Sequence, residues 1–322
     1  MEKHMEKVLC IGEALIDMIC TDKGKALSEG ENFLKKAGGA PTNVAAAVAA
    51  LGGQVDLVAK VGADPFGTHL VSVMQDFGVG IQFLVRDERH FTTLAFVSLM
   101  LNGERDFYFN RGADGYLSTD EVDILDLDGY GIVHFGSATA FLPGPLQQAY
   151  THLLHKARTH NRFISFDPNY RELLFGHQQP DFIKRCWQFI PHCNFFKVSD
   201  DEAMLIAEKP TVQAAAEHFL KHSSASFAIT MGAEGTLLGV HGNTHLVPSI
   251  KINPIDTTGA GDAFVGALLY QLSQLAPAQR ATCSAVQWQA MVALANKAGA
   301  RTCQHLGAME AFKQLNHSIF DT

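Results

Sequence analysis

With 322 residues, 47% of them hydrophobic and 18% charged, the chain has the composition of a soluble globular protein with a large core. A formal net charge of −8 and the lack of any Lys/Arg-rich block exclude the electrostatic footprint of a nucleic-acid binder and point to small-molecule partners. The Ala-rich run Val44 to Leu51 is far too short to span a bilayer, and Glu13 and Asp17 interrupt the apolar start with no cleavage pattern around it, so neither a membrane segment nor an export signal is expected and a cytoplasmic location is.

In chain order, the apolar run Val8 to Ile11 predicts a strand, with Asp17 just beyond its end. Ala37-Gly38-Gly39-Ala40-Pro41-Thr42-Asn43 then leads into an Ala-rich helix reaching Leu51. Its glycines let backbone approach a ligand, and Asn43 in the first turn offers both a donor and an acceptor to a hydroxylated ligand. A strand over Val55 to Val61, a helix over Phe66 to Phe77 and a strand over Ile81 to Val85 begin a βαβ series. Gly62 and Gly67 have P-loop spacing, but Thr68-His69 follows where Lys-Ser/Thr is required, so a Walker loop is excluded. Thr93 to Leu101 and Asp106 to Phe109 alternate and are joined by Asn102-Gly103, a hairpin signal that breaks the βαβ rhythm. With part of Leu15 to Lys36 this hairpin is expected to form a small β flap, Phe107 and Phe109 sharing one face and Tyr108 the other.

Alternation resumes with strand Ile132 to Phe135, helix Pro145 to Thr159, strand Arg162 to Asp167, helix Asp181 to Ile190 and strand Asn194 to Val198. This predicts an α/β fold with a doubly wound, mostly parallel sheet. Polar clusters follow several strands: Asp17, then Asp167 to Arg171, Ser199 to Glu202, and Thr230 to Gly235. At the carboxyl ends of such strands they converge on one crevice. A hairpin (Thr236 to Val240, His245 to Ile250) precedes the central stretch Asp256-Thr257-Thr258-Gly259-Ala260-Gly261-Asp262-Ala263-Phe264. Here Ala260, Ala263, Phe264, Ala267, Leu268 and Leu272 repeat at helical spacing and predict a strongly amphipathic helix capped by Thr257 or Thr258. The free N–H groups of its first turn make an anion site, where Asp262 is placed to take a proton and is expected to stay ionised at neutral pH. A last helix runs through Ala293 to Ala300 and carries Asn296. His218 and His222 have helical spacing without the Glu of HExxH and are expected to face solvent rather than a metal. The six cysteines (Cys10, Cys20, Cys186, Cys193, Cys283 and Cys303) form no CxxC pair and are expected to be buried free thiols.

The segment Ala37 to Gly53, AGGAPTNVAAAVAALGG, is similar to the N-terminal signature of the ribokinase-like (PfkB) carbohydrate kinases, and Asp256 to Leu269, DTTGAGDAFVGALL, matches their C-terminal signature throughout. Within that family the chain resembles the bacterial fructokinases. The resemblance implies a ribokinase-like core over 1–14, 38–91 and 112–322, with a β-sheet lid over 15–37 and 92–111. It implies transfer of the ATP γ-phosphoryl to a sugar primary hydroxyl, with Asp262 as general base and the backbone of Gly259, Ala260 and Gly261 as anion hole. Asp17, Gly38, Gly39, Asn43, Phe107 and Arg171 fall on the sugar side. Lys197, Thr230, Gly232, Gly235 and Asn296 fall on the nucleotide side, Thr230, Gly232 and Gly235 as a TxGxxG loop. Glu202 keeps its place in the family's NxxE motif and would meet Mg²⁺ through water, while Ser199 stands where the family has Asn. A monovalent cation, K⁺, is expected at the backbone of Asp256 and Thr258, and a homodimer through the exposed edge of the lid. Fructose is the expected sugar. Kinases of 2-keto-3-deoxygluconate and of aminoimidazole riboside share Asp167-x-Asn169-x-Arg171; gluconate-type kinases tend to carry Arg directly after the flap Tyr run, where this chain has Asn110 before Arg111. A catalytically silent sugar sensor on the same fold is the alternative of a different class, and the intact Gly259-Ala260-Gly261-Asp262 argues against it.

Overall fold

The computed structural model describes residues 5–100 and 105–320. Nine strands form one sheet: β1 (Lys7–Ile11), β4 (Val55–Gly62), β5 (Leu84–Asp87), β8 (Tyr130–Gly136), β9 (Phe163–Asp167), β10 (Phe195–Ser199), β11 (Ser226–Thr230), β12 (Thr236–Val240) and β13 (Asn243–Val247), in the order β13-β12-β11-β10-β9-β8-β1-β4-β5. Neighbours from β11 through β5 run parallel, and β12 and β13 close one edge antiparallel. Both faces are covered, as a parallel sheet requires. Within β1, Val8 and Cys10 enter one core with Ala45, Val48, Val265 and Leu269. Leu9 and Ile11 enter the other, among Phe135, Tyr150, Phe166 and Phe189.

The central helix Ala260–Ser273 differs from the amphipathic expectation, since Val265, Leu269 and Tyr270 are buried as well as the predicted stripe. It lies between the helices Ala40–Ala50 and Ala285–Thr302, so every side has a neighbour. Gly266 permits the close approach on one side, where a Cβ would stand 2.6 Å from that of Ala47. Other boundaries moved by small amounts. The strand expected at Ile81 starts at Leu84, and beyond the helix expected to be last, a short helix Ala308–Phe312 packs back toward the site.

A second, four-stranded sheet has the order β3-β2-β6-β7, from β2 (Leu15–Cys20), β3 (Phe33–Gly38), β6 (Leu94–Leu99) and β7 (Arg105–Asn110). Asp17 therefore sits inside a strand of this small sheet rather than just after β1. The Asn102-Gly103 turn falls outside the described residues; β6 and β7 pair antiparallel on either side of it. The register aligns Lys36, Asp17, Ala95 and Phe109 across the sheet, and Leu34, Ile19, Val97 and Phe107 one row further out on the same face. Side chains two apart share a face, so Asp17 and both phenylalanines face the same way.

No disulfide links the cysteines; Cys20 is partly exposed and the other five are buried. His218 is half-buried, edge-on to Trp187 and stacked on His222, so its packing is apolar rather than purely solvent-facing. Among the described residues no helix is long and apolar enough to cross a membrane.

Candidate active site at the carboxyl edge of the sheet

The carboxyl ends of β1, β8, β9, β10 and β11 bring Glu13, Ser137, Asp167, Ser199 and Thr230 to one edge of the large sheet, and the helix Ala260–Ser273 starts there. Its N-cap is Gly259, at φ 80° and ψ 0°, rather than Thr257 or Thr258, and no side chain caps it. A left-handed conformation suits glycine, and a Cβ there would also meet the Cβ of Ala308 at 2.5 Å. The threonines are engaged otherwise. The Asp256 carboxylate accepts from Thr258 N (3.0 Å) and Oγ1 (2.7 Å), and its second oxygen accepts from Gly307 N at 2.8 Å. The preceding loop is thus pinned to the C-terminal segment. Of the expected anion-hole donors, the Ala260 N–H turns back onto the Thr257 carbonyl at 3.2 Å. The Gly261 N–H belongs to a first helical turn, whose amides lack carbonyl partners four residues earlier within the helix.

Asp262, on that first turn, is buried, and its Oδ2 accepts a hydrogen bond from Asn43 Nδ2 at 2.8 Å. Burial pushes its pKa above the ordinary value, opposed by Asn43, Lys197, Arg171 and a side-chain hydrogen bond from Asn169. This corrects the expectation that a helix start alone sets its ionisation: desolvation is the leading influence here, and neighbouring donors and cations restrain it. Asn43 itself is fixed in the first turn of the helix Ala40–Ala50, with its Oδ1 buried and lacking a hydrogen-bond partner. The amide is half-engaged, its donor holding the carboxylate and its acceptor still to be satisfied.

Lys197 projects from β10 into this group, buried, with Nζ 3.2 Å from Asp167 Oδ2. Burial lowers a lysine pKa, but the carboxylates of Asp167, Glu202 and Asp262 outweigh it and hold Lys197 above its usual value. Its ammonium also lies 3.1 Å from where a Cβ on Gly261 would stand, which sets it beside the helix start. Asp167 is fully buried, and burial pushes it above the usual carboxylate range. After it the chain makes a turn in which Asn169 adopts φ 50°, a left-handed conformation that Asn tolerates better than most residues, and its side chain reaches Asp262. The sequence shows Asp167 and Asn169 in a polar cluster after a strand and in the pattern Asp167-x-Asn169-x-Arg171, without giving either a role in the site.

Glu202 is buried and both its oxygens receive backbone donors, Tyr170 N and Ser199 N, each at 2.7 Å. With Ser199 Oγ accepting from Glu202 N at 3.2 Å, the pair is a capping box on the helix Asp200–Ala207. Serine at this position therefore has a local structural reason.

Of the residues expected to meet a sugar, Asp17 is partly exposed, and burial raises its pKa to about 6 while exposed Arg171 pulls the other way. Arg171 also bears electrostatically on Asp262, so one cation acts on both carboxylates. Gly38 is tightly constrained, because a Cβ there would fall 2.2 Å from Asp17 Oδ2. Gly39 has φ 106°, with the Glu13 carbonyl 2.4 Å from a would-be Cβ. Phe107 stacks on Phe109 with centroids 6.2 Å apart, but it is Phe109 that shares the row of Asp17. Of the residues expected to meet a nucleotide, Thr230 ends β11, and Gly232 at φ 54° has open space around it. Gly235, at φ 101°, would collide with the Val247 carbonyl if it had a Cβ. Asn296 is buried with its amide consumed internally, accepting from Thr236 Oγ1 at 2.6 Å and donating to Val247 O (3.0 Å) and Pro248 O (3.3 Å). It braces the β12–β13 edge and has no donor left for a base.

Residues 5–315 match the model of the pfkB family of carbohydrate kinases. The chain is 34% identical over 309 residues to probable fructokinase-3 of Arabidopsis thaliana, covering 94% of this chain and 88% of that protein. Among solved structures, it is similar to the fructokinase of Vibrio cholerae O395 in a form with fructose, ADP and calcium ion bound (TM-score 0.84, 28% identity, 98% of each chain). It is also similar to the fructokinase of Xylella fastidiosa with bound ATP (TM-score 0.85, 28% identity, 98% of this chain and 96% of that one). Those structures share the large mostly parallel sheet with a small separate β-sheet.

Proposed function

The chain belongs to the pfkB family of carbohydrate kinases, and from that premise we propose that it transfers the γ-phosphoryl group of ATP to a primary hydroxyl of fructose. The observation that carries the reading is the buried Asp262 at a helix start, held by Asn43 at 2.8 Å with the Lys197 ammonium close by. In this reading the sugar hydroxyl gives its proton to Asp262 as its oxygen forms a bond to the γ-phosphorus. The bond from that phosphorus to the bridging oxygen breaks, and ADP leaves. Such a transfer asks the protein mainly for positioning and for donors facing the transferred group. The backbone N–H groups of Gly259 and Gly261 and the Lys197 ammonium supply those donors, while Asn43 and Asn169 aim the base. The unpartnered Asn43 Oδ1 suits a sugar hydroxyl, and Asp17, Gly38 and Arg171 complete the sugar side. Thr230, Gly232 and Gly235 cradle the nucleotide, with Asn296 bracing their loop.

Mg²⁺ fits the remaining chemistry, because Asp167 Oδ2 is buried and has no hydrogen-bond donor apart from its ion contact with Lys197. Asp167 and Glu202 would hold the ion's water shell, and the ion would neutralise phosphate charge. We place K⁺ at the backbone of Asp256 and Thr258, in a loop clamped through the Asp256 carboxylate. Turnover in buffer free of sodium and potassium is expected to fall well below that in potassium, and equal rates would remove the cation from the scheme. Exposed Ile19, Leu34 and Leu99 share the face of the lid that carries Asp17, which supports pairing of two copies there.

Arg111 bears on the choice of sugar. Its guanidinium donates to Pro143 O at 2.7 Å and Thr139 O at 3.1 Å and lies 3.6 Å from buried Asp114. A cation engaged in this way is not offered to an acidic sugar, which disfavours 2-keto-3-deoxygluconate. With Mg²⁺-ATP and a panel of ketoses, aldoses, sugar acids and ribosides, ADP release is expected to give fructose the highest kcat/KM. A clear preference for a sugar acid or a riboside would overturn that assignment.

A further inference from the structure

Glu13 lies between the large sheet and the lid, 1% exposed, and the reaction scheme gives it no part. Its carboxylate accepts three hydrogen bonds: Oε1 from Ala40 N at 2.9 Å and from Ala138 N at 3.4 Å, and Oε2 from Ser137 Oγ at 2.5 Å. Its main-chain carbonyl accepts from Thr42 Oγ1 at 2.9 Å. Residue 13 thus grips the first turn of the helix Ala40–Ala50 at two points. The helix cannot cap itself, because its N-cap is Gly39, which has no side chain to bond its first amides. Glycine is demanded there by close approach, the Glu13 carbonyl lying 2.4 Å from a would-be Cβ. Gly12 repeats the pattern, since a Cβ on it would meet Pro41 Cγ at 2.7 Å. The next residue on this clamped turn after Thr42 is Asn43, whose amide holds Asp262.

From this geometry we propose that Glu13 is a positioning residue for phosphoryl transfer: it caps the Ala40–Ala50 helix from outside and so sets Asn43 against Asp262. The inference rests on the reading of Asp262 as general base. A purely structural cap would be replaceable anywhere a helix start needs one donor satisfied. Here the same carboxylate also ties that helix to Ser137 and Ala138 at the end of β8, which fixes Asn43 relative to the sheet edge. Burial pushes Glu13 up to about 7, so the site keeps a carboxylate where desolvation opposes its charge.

The test is a double-mutant cycle of Glu13→Gln and Asn43→Ala, read in kcat, in KM for ATP, and in circular dichroism as the check on folding. Because a small misplacement of a reacting group is costly, Glu13→Gln is expected to lower kcat roughly tenfold or more with KM for ATP nearly unchanged. If Glu13 acts through Asn43, the double variant should turn over within about twofold of Asn43→Ala alone. Effects on kcat that multiply would make Glu13 an ordinary helix cap and overturn the proposal. Ser137→Ala, which frees Oε2 and leaves the Ala40 bond in place, gives the same cycle if Glu13→Gln does not fold. Its smaller loss of kcat should likewise vanish in the Asn43→Ala background, and persistence there counts against the proposal. Near-normal kcat in Asp262→Asn would remove the base assignment and this inference with it. A large loss in Asp262→Asn beside multiplying Glu13 and Asn43 effects would overturn this inference alone.

Discussion

Asp262→Asn is expected to lower kcat by roughly 10²-fold or more while KM for ATP stays near its original value or falls slightly. The amide keeps the size of the side chain, and its oxygen can still accept from Asn43 Nδ2, which now donates to Oδ2 at 2.8 Å. What disappears is the proton acceptor and one negative charge beside the phosphates. Stability separates the catalytic role from a structural one. Burial raises the Asp262 pKa above 3.8, so the folded state holds its proton more tightly than the unfolded chain does, and the stability this confers below the unfolded value is lost as pH rises through the folded one. At neutral pH the neutral amide should therefore melt at the same temperature or higher. A carboxylate that merely served the helix dipole would behave oppositely, its loss costing up to about 1 kcal/mol with turnover unchanged. The acid limb of the kcat–pH profile in the unsubstituted enzyme should likewise lie above the ordinary Asp range. Near-normal kcat in the folded variant would remove the assignment.

The parts of the fold legible in the sequence are those where one physical rule acts alone. Helix Pro145–Thr159 has both ends where proline and periodicity place them, and strand alternation with helices gives the parallel sheet. Legibility fails where tertiary neighbours decide. Nothing in residues 256–262 says that Asp256 will bond forward to Gly307, which removes the threonines from capping and leaves Gly259 in that place. The amphipathic stripe on Ala260–Ser273 is real, yet the rest of the helix is buried because two other helices flank it. Site chemistry shows the same division. A carboxylate after a glycine-rich turn is visible in the chain, whereas the pKa of Asp262 is raised by its burial and restrained by Asn43, Lys197, Arg171 and Asn169, which lie far apart in sequence. Asn296 is expected from the sequence on the nucleotide side, whereas its amide bonds internally to Thr236 and Val247, a property of the packed edge that no local pattern announces.

Lys197→Met is expected to have a large effect on both stability and turnover, and its pH dependence identifies the cause. The substitution keeps an unbranched side chain of similar length and leaves Asp167, Glu202 and Asp262 buried around an apolar group. Removing one partner of a buried ion pair typically costs about 3–5 kcal/mol. For the unsubstituted enzyme, a lysine whose folded pKa lies above 10.5 stabilises the protein below that value, and the contribution is lost as pH rises through the folded pKa. In the variant the carboxylates dominate instead. Asp167, already raised by burial, loses the cation that pulls it down, so the folded state binds more protons than the unfolded chain through the neutral range. Its stability must then fall as pH rises, and the deficit relative to the unsubstituted enzyme should be smaller at pH of about 5 than at about 8. Turnover should drop by roughly 10²-fold, as removal of a donor facing developing phosphate charge does. Urea unfolding at the two pH values with steady-state kinetics measures both. Equal deficits at the two pH values would show that Lys197 does not hold these carboxylates together.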